Sequence, residues 1–313
     1  MMSTPNYILK NSIHLGWDNS LAPALKIAPG DIVEFEAQDA SGGQLSVDST
    51  VEDVPSLDFE KVNPVTGPVY VEGATPGDAL KITILSFDTH GWGWTAIIPG
   101  FGLLADQFTD PALHIWKYNN KPGSLAQFNP GGRVPIQPFP GTIGNAPAAK
   151  GVHSVVNPRN VGGNMDTRGL CEGTILYLPV EVAGGLLSVG DAHAAQGDGE
   201  ICGTAIESPM NISFKIEVEK GMNLKFPRFT TAGPVCRHID SKGYEVTTGI
   251  GPDLMQSAKD AVAQMVDLIS RKYKMSPDEA YMLCSVCADL RIPEIVDMPD
   301  WIVSFNFPKS VFD

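Results

Sequence analysis

The sequence predicts a mainly β protein, a sandwich or barrel-like α+β architecture with a C-terminal helical segment. Three observations carry this. Up to about residue 250 the apolar residues come in runs of four to eight, many of them β-branched, cut by Gly and Pro. The 32 Gly and 25 Pro among 313 residues are a turn-rich usage that disfavours an all-helical bundle. Beyond residue 250 the apolar spacing changes to three and four, the period of a helix. We therefore expect a β-rich region over 1–250 and a unit of helices plus one last strand over 251–313.

Taken in order, Ile32 to Glu36, Val69 to Val71, Leu80 to Leu85, Thr174 to Leu178 and Ile212 to Val218 read as strands, several with apolar and polar residues alternating. Pro29-Gly30-Asp31 and Pro76-Gly77-Asp78 each precede a strand, with Val189-Gly190-Asp191 as a looser third copy. Pro presets the first central angle of a type II turn and Gly accepts the positive φ of the second. Residues 119–164, rich in Gly, Pro and Asn, are expected to run as a long excursion over the surface. Leu254, Ala258, Ala261, Val262, Met265, Leu268 and Ile269 mark one amphipathic helix. Ser276-Pro277-Asp278-Glu279 starts a second, with a capping Ser and Pro at its first position, and turns Ala280, Leu283, Cys284 and Cys287 inward. Ile302 to Phe305 is the final strand.

With 22 Lys and Arg against 36 Asp and Glu, the net charge is −14. Nucleic acid and anionic membrane surfaces are poor partners for such a chain, because both require a basic face. No apolar run reaches the roughly 18 residues of a membrane helix, and Met1 to Tyr7 lacks a leader pattern. The five cysteines, Cys171, Cys202, Cys236, Cys284 and Cys287, are odd in number and scattered, which fits reduced thiols and a cytoplasmic location. Cys284 and Cys287 have metal-site spacing, but they fall within a helix without a second pair and are read as core. His14 and His90 lie near strand ends, and His114, His153 and His238 are read as structural.

Functional groups are densest from Gly190 to Glu200, just after the apolar Leu186 to Val189. Small residues separate the polar ones there, so backbone can approach a ligand closely and the pocket is expected to suit a ligand of very few atoms. In extended chain Asp191 and His193 share one face, and Asp198 and Glu200 another. Imidazole beside carboxylates is a donor set for a divalent cation. A second group is Gly162-Gly163-Asn164-Met165-Asp166, and a third is Glu36 at the end of a strand.

The run from Gly190 to Glu207 resembles the signature of the acetamidase/formamidase family of amide hydrolases. The likeness continues, in collinear order, through Asn63 to Val69 with Pro76-Gly77-Asp78, Gly91 to Trp94, Pro99 to Gly102, Gly162 to Asp166 and Asp289 to Ile292. The resemblance implies hydrolysis of a small amide, such as formamide or acetamide, to carboxylate and ammonia. It also implies a β-rich sandwich or barrel-like fold with a bound divalent metal. On chemical grounds we assign His193, Asp191, Asp166 and Glu36 as metal ligands, with zinc expected and calcium or manganese as alternatives. Glu200, backed by Asp198, is the general acid/base, and Asn164 and Gln196 are donors to the carbonyl oxygen. Trp92 and Trp94 alternate with glycines and wall the pocket. Two other readings stay open: Cys202 as an amidase nucleophile, and a calcium-dependent carbohydrate-binding sandwich that stacks sugar on the two tryptophans. Strand edges and an acidic surface permit a homodimer or higher homo-oligomer.

Overall fold

A computed structural model describes residues 6–121, 123–233 and 241–312. Met1 to Pro5, Cys236 and His238 lie outside these residues. The longer strands and those that position the site are β1 (Ile32–Ala37), β2 (Val65–Val71), β3 (Ala79–Thr89), β4 (Trp92–Ile97), β5 (Ala112–Lys117), β6 (Phe139–Gly144), β7 (Gly162–Asn164), β8 (Ile175–Pro179), β9 (Leu187–His193), β10 (Met210–Glu219) and β11 (Tyr244–Gly251). Helices α1 (Leu254–Tyr273) and α2 (Pro277–Cys287) follow, then β12 (Asp289–Glu294) and β13 (Trp301–Pro308).

Two sheets form the sandwich. One runs Asn6–Ile8, β1, β10, β3, β8, Arg228–Thr230, and the other runs Pro158–Arg159, β7, β6, β9, β2, Ile13–His14. In β1, Val33, Phe35 and Ala37 are buried while Ile32, Glu34 and Glu36 are half-buried, the two-residue period of a strand with one face on a core. Met210, Ile212, Phe214 and Ile216 of β10 continue that face. They meet Phe139 and Ile143 of β6, Leu187 and Val189 of β9, and Val69 and Val71 of β2 in one apolar cluster.

β6 departs from the sequence expectation. It falls within 119–164, yet all six of its residues are buried and it lies between β7 and β9. Its composition misled because the glycine serves close approach here: a Cβ on Gly141 would stand 2.6 Å from His193 Cε1. The first two Pro-Gly-Asp runs are turns, with Gly30 at φ 100° and Gly77 at φ 94°. The third copy is not. Gly190 lies inside β9, where a Cβ would meet the Pro64 carbonyl at 2.2 Å.

The C-terminal helices form as their signals indicate. Asp253 caps α1 by accepting from the Gln256 N–H, and Ser276 and Glu279 complete a capping box on α2. β11 pairs with β13, and β13 with β12, so this unit takes in residues on the N-terminal side of position 250. Ala261, Val262, Met265 and Ile269 of α1 pack with Leu283 of α2 and with Val303, Phe305 and Phe307 of β13 in a second core. Among the described residues no helix is long and apolar enough to cross a membrane.

Asp78 shows how the turns are fastened. Its carboxylate accepts from the Thr75 N–H and hydroxyl, both at 2.8 Å, from Gly221 N–H at 3.0 Å and from Lys220 Nζ at 2.8 Å. Burial alone would raise its pKa, but Lys220 and the N–H donors hold it well below the usual carboxylate range. The stabilisation is therefore present above the unfolded value, about 4, and is lost as pH falls through the folded value. Asp78→Ala should cost about 2 kcal/mol in urea unfolding at neutral pH, and its difference from the parent chain should shrink towards pH 3.

Candidate active site

A cavity of about 610 Å³ opens at the end of the sandwich, with Asp166, Asp191, Glu200 and Glu207 on its walls. His193 sits among them at the end of β9. Its Nε2 is 3.3 Å from Asp191 Oδ1, 3.2 Å from Glu207 Oε2 and 4.0 Å from Glu200 Oε1. Its other nitrogen, Nδ1, lies 2.8 Å from Gln196 Oε1. An amide oxygen only accepts, so Nδ1 carries a proton and Nε2 is turned to the carboxylates. Gln196 is itself oriented by its Nε2, which donates to the Asp166 carbonyl at 2.8 Å.

Glu207 reaches the site because its backbone bridges both His193 and Trp94, with Trp94 N–H donating to Glu207 O at 2.9 Å. Asn63 Nδ2 donates to Asp191 Oδ2 at 3.1 Å, and the Thr142 hydroxyl shares its one hydrogen between that oxygen, also at 3.1 Å, and Asn164 Oδ1. Three of the acids occupy left-handed backbone: Asp166 at φ 45°, Asp191 at φ 49° and Glu200 at φ 44°. Each such residue stores about 1–3 kcal/mol of strain, and strain of this kind gathers at functional sites.

The electrostatics are those of crowded carboxylates. Burial, then the nearby Asp191, pushes Asp166 up to about 7. Burial also pushes Glu207 up to about 7, and burial followed by Asp166 raises Glu200 well above the usual range. Burial would raise Asp191 too, but the His193 charge and hydrogen bond leave it lowered. Burial opposes charge on His193, and Glu207 and Asp191 overcome it and raise its pKa.

The donors form two triads that share His193, Asp166 with Asp191 and Glu200 with Glu207, and within each triad the donor atoms lie within 4.8 Å of one another. Asp166 Oδ1 is buried without a hydrogen-bond partner. An orphaned carboxylate oxygen beside an imidazole and further carboxylates fits a divalent cation.

Other predicted site residues are placed differently. Glu36 lies outside both triads and pairs with Lys10 Nζ at 3.3 Å, because it falls on the half-buried face of β1, opposite Phe35. Asp198 does not back Glu200. Its carboxylate is 3.1 Å from Arg168 Nε and its side chain is 52% exposed. The turn at Gly199 and Glu200, with φ 110° and 44°, breaks the two-residue period assumed for this stretch. Gln196 holds His193 and, unlike Asn164, is not among the residues that line the cavity. Asn164 lines the cavity, its Oδ1 accepting from Thr142 at 2.7 Å and its Nδ2 donating to Val156 O at 3.2 Å. Trp94 also lines it, its indole N–H held by Asp39 at 2.9 Å, whereas Trp92 packs half-buried in a small core with Leu113 and Ile115. Glu207, Asn63 and Gly141 were not singled out as functional from sequence, although Glu207 closes the Gly190 to Glu207 run and Asn63 begins the Asn63 to Val69 run.

The loop that carries Glu200 is fastened to the C-terminal unit. Gly197 N–H donates to Ser285 O at 2.9 Å, Cys202 N–H to Ser285 Oγ at 3.1 Å, and Tyr281 hydroxyl to Ile201 O. Cys202 is buried, its thiol 3.5 Å from the Ala96 and Thr204 carbonyls, and burial raises its pKa. That is the setting of a packed thiol and not of a nucleophile. His14 is likewise satisfied, between Gly16 O and Ser188 Oγ. With Trp94 buried, the two indoles make no open sugar platform.

A carboxylate–imidazole centre at a cavity wall is equipment for acid–base hydrolysis. Residues 3–155 and 148–313 match the acetamidase/formamidase family, and the chain belongs to it. It is an amidohydrolase. A formamidase of Methylophilus methylotrophus is 28% identical over 96% of this chain and 89% of its own. Among solved structures, a gamma lactamase from Delftia acidovorans superposes with TM-score 0.89 at 25% identity, covering 96% of this chain and 90% of that one. An acetamidase from Bacillus halodurans superposes with TM-score 0.68 at 31% identity, covering 96% and 97%.

Gly141→Ala should push His193 and Asp166 apart and lower amide turnover about 100-fold, with the circular dichroism spectrum retained. Gln196→Leu should release the imidazole and lower turnover about 10- to 100-fold, with the His193 ring resonances in NMR reporting the changed tautomer.

Proposed function

We propose that the chain hydrolyses small neutral primary amides, formamide and acetamide among them, to carboxylate and ammonia with the help of a divalent cation. The observation that carries this is the set of donors around His193, with Asp191 and Glu207 buried and Asp166 half-buried, and with the buried Asp166 oxygen that no hydrogen bond satisfies. These residues would hold the cation. Zinc suits the imidazole with carboxylates, and manganese or calcium are the alternatives. When bound, such an ion supplies Lewis-acid polarisation of the amide carbonyl and lowers the pKa of water.

The remaining work falls to the chain. Glu200 has its side chain 18% exposed, against 4% for Asp191 and 3% for Glu207, so it is more open to the cavity than either. It takes a proton from the attacking water and delivers it to the amide nitrogen as the C–N bond breaks. Asn164 and Asn63 line the same cavity, and each amide has a second N–H to offer the oxygen on which charge develops. Gln196 keeps the His193 Nδ1–H directed away from the reacting centre.

Ammonia release from acetamide tests the scheme. Chelator-stripped protein should lose turnover and regain it with zinc, manganese or calcium, whereas full activity in verified metal-free protein overturns the role of the ion. Glu200→Gln should lower kcat by about 10²- to 10⁴-fold.

A further inference from the structure

The cavity is far larger than its proposed reaction needs. Formamide and acetamide have a handful of non-hydrogen atoms, but about 610 Å³ lies within the range of about 300–1,000 Å³ found for drug-sized ligands. A cavity of this volume does not match the expectation of a pocket for very few atoms. Beyond the acids the wall turns apolar. Leu57, Ile98 and Met165 line it, and Phe59, Phe101 and Val156 also face the cavity while remaining exposed to solvent.

Phe101 is the best placed of these. Its ring lies on the Gly203 backbone, so closely that a Cβ on Gly203 would stand 2.4 Å from Phe101 Cδ1, and Gly203 N–H donates to Glu200 O at 2.8 Å. The ring is thus fixed beside the segment that carries the acid/base and stays 43% exposed. Among the described residues that line the cavity there is no Lys, Arg or His. Away from the acids the walls carry no charged side chain, so an anionic group on the acyl chain would find no partner there.

We propose that the cavity selects neutral amides whose acyl group carries an apolar chain, and that Phe101 is a specificity-determining residue seating that chain. The amide nitrogen and carbonyl stay at the acids while the chain runs along Leu57, Ile98 and Phe101 towards the mouth. This inference rests on the amide-hydrolysis reading above.

The test is kcat/KM for acetamide, butyramide, hexanamide and the carboxylate-bearing succinamate, on the full chain loaded with zinc, manganese or calcium. Each methylene added between acetamide and hexanamide should raise kcat/KM about fourfold, the yield of burying one CH₂, mainly through KM, because the contact is made equally in the ground and transition states. Succinamate should be at least about tenfold worse than butyramide, since its charge would be desolvated without a partner. Phe101→Ala should cut the hexanamide-to-acetamide ratio about tenfold, and Phe101→Leu should keep most of it. A ratio that is flat or falls with chain length, or one that Phe101→Ala leaves unchanged, overturns the inference while amide hydrolysis stands. Turnover of no amide with any of the three ions overturns the amide reading, and this inference with it.

Discussion

Carboxylates packed at contact distance inside a protein repel one another, and the structure around His193 is organised to hold them there. At 4 Å a like-charged pair opposes itself by about 4 kcal/mol at an effective dielectric constant near 20. One imidazole within 3.2–4.0 Å of Asp191, Glu200 and Glu207 offsets part of this. The remainder is met by proton uptake, as the raised pKa values of Asp166, Glu200 and Glu207 indicate, or by a bound cation. Hydrogen bonds do the holding. Asn63 and Thr142 fix Asp191, Ala205 N–H fixes Glu207, and Gln196 links the imidazole to the Asp166 backbone.

Such crowding also requires backbone to come close to backbone. Gly141 on β6 and Gly190 on β9 let neighbouring chain approach where any Cβ would intrude. The left-handed conformations of Asp166, Asp191 and Glu200 aim acids from three separate places in the chain at one imidazole. Strain and close packing are tolerable because both sheets are anchored in a continuous apolar core.

Legibility in the sequence followed the range of the interactions involved. Strands β1, β3, β8 and β10, both helices and the Ser276 capping box were readable because period and capping are local properties. Asp191, His193, Asp166 and Glu200 were readable as a dense polar cluster, and the structure brings them together. Glu36 was misplaced because strand alternation, visible in the same residues, already turned it away from the core. Asp198 was misplaced because a tight turn at Gly199 overrode that same alternation. Glu207 and β6 were missed for a further reason: what defines them is pairing across the fold, Glu207 with His193 and Trp94, and β6 with β9. A lone acid after an apolar pair, and a strand spelled with Pro and Gly, carry no local mark of such partners.

The fastening of the Glu200 loop to α2 bears on how the molecule is made. Ser285, which receives Gly197 and holds Cys202, comes 83 residues after Cys202, and β13, which completes the core beneath α2, is later still. A nascent chain can therefore pair much of the sandwich while its reactive loop has nothing to rest on. Contacts of such long sequence separation are costly to close and form late. Until α2 is present, the loop from Gly197 to Cys202 lacks the Ser285 and Tyr281 partners that hold it, and the position of Glu200 is not set.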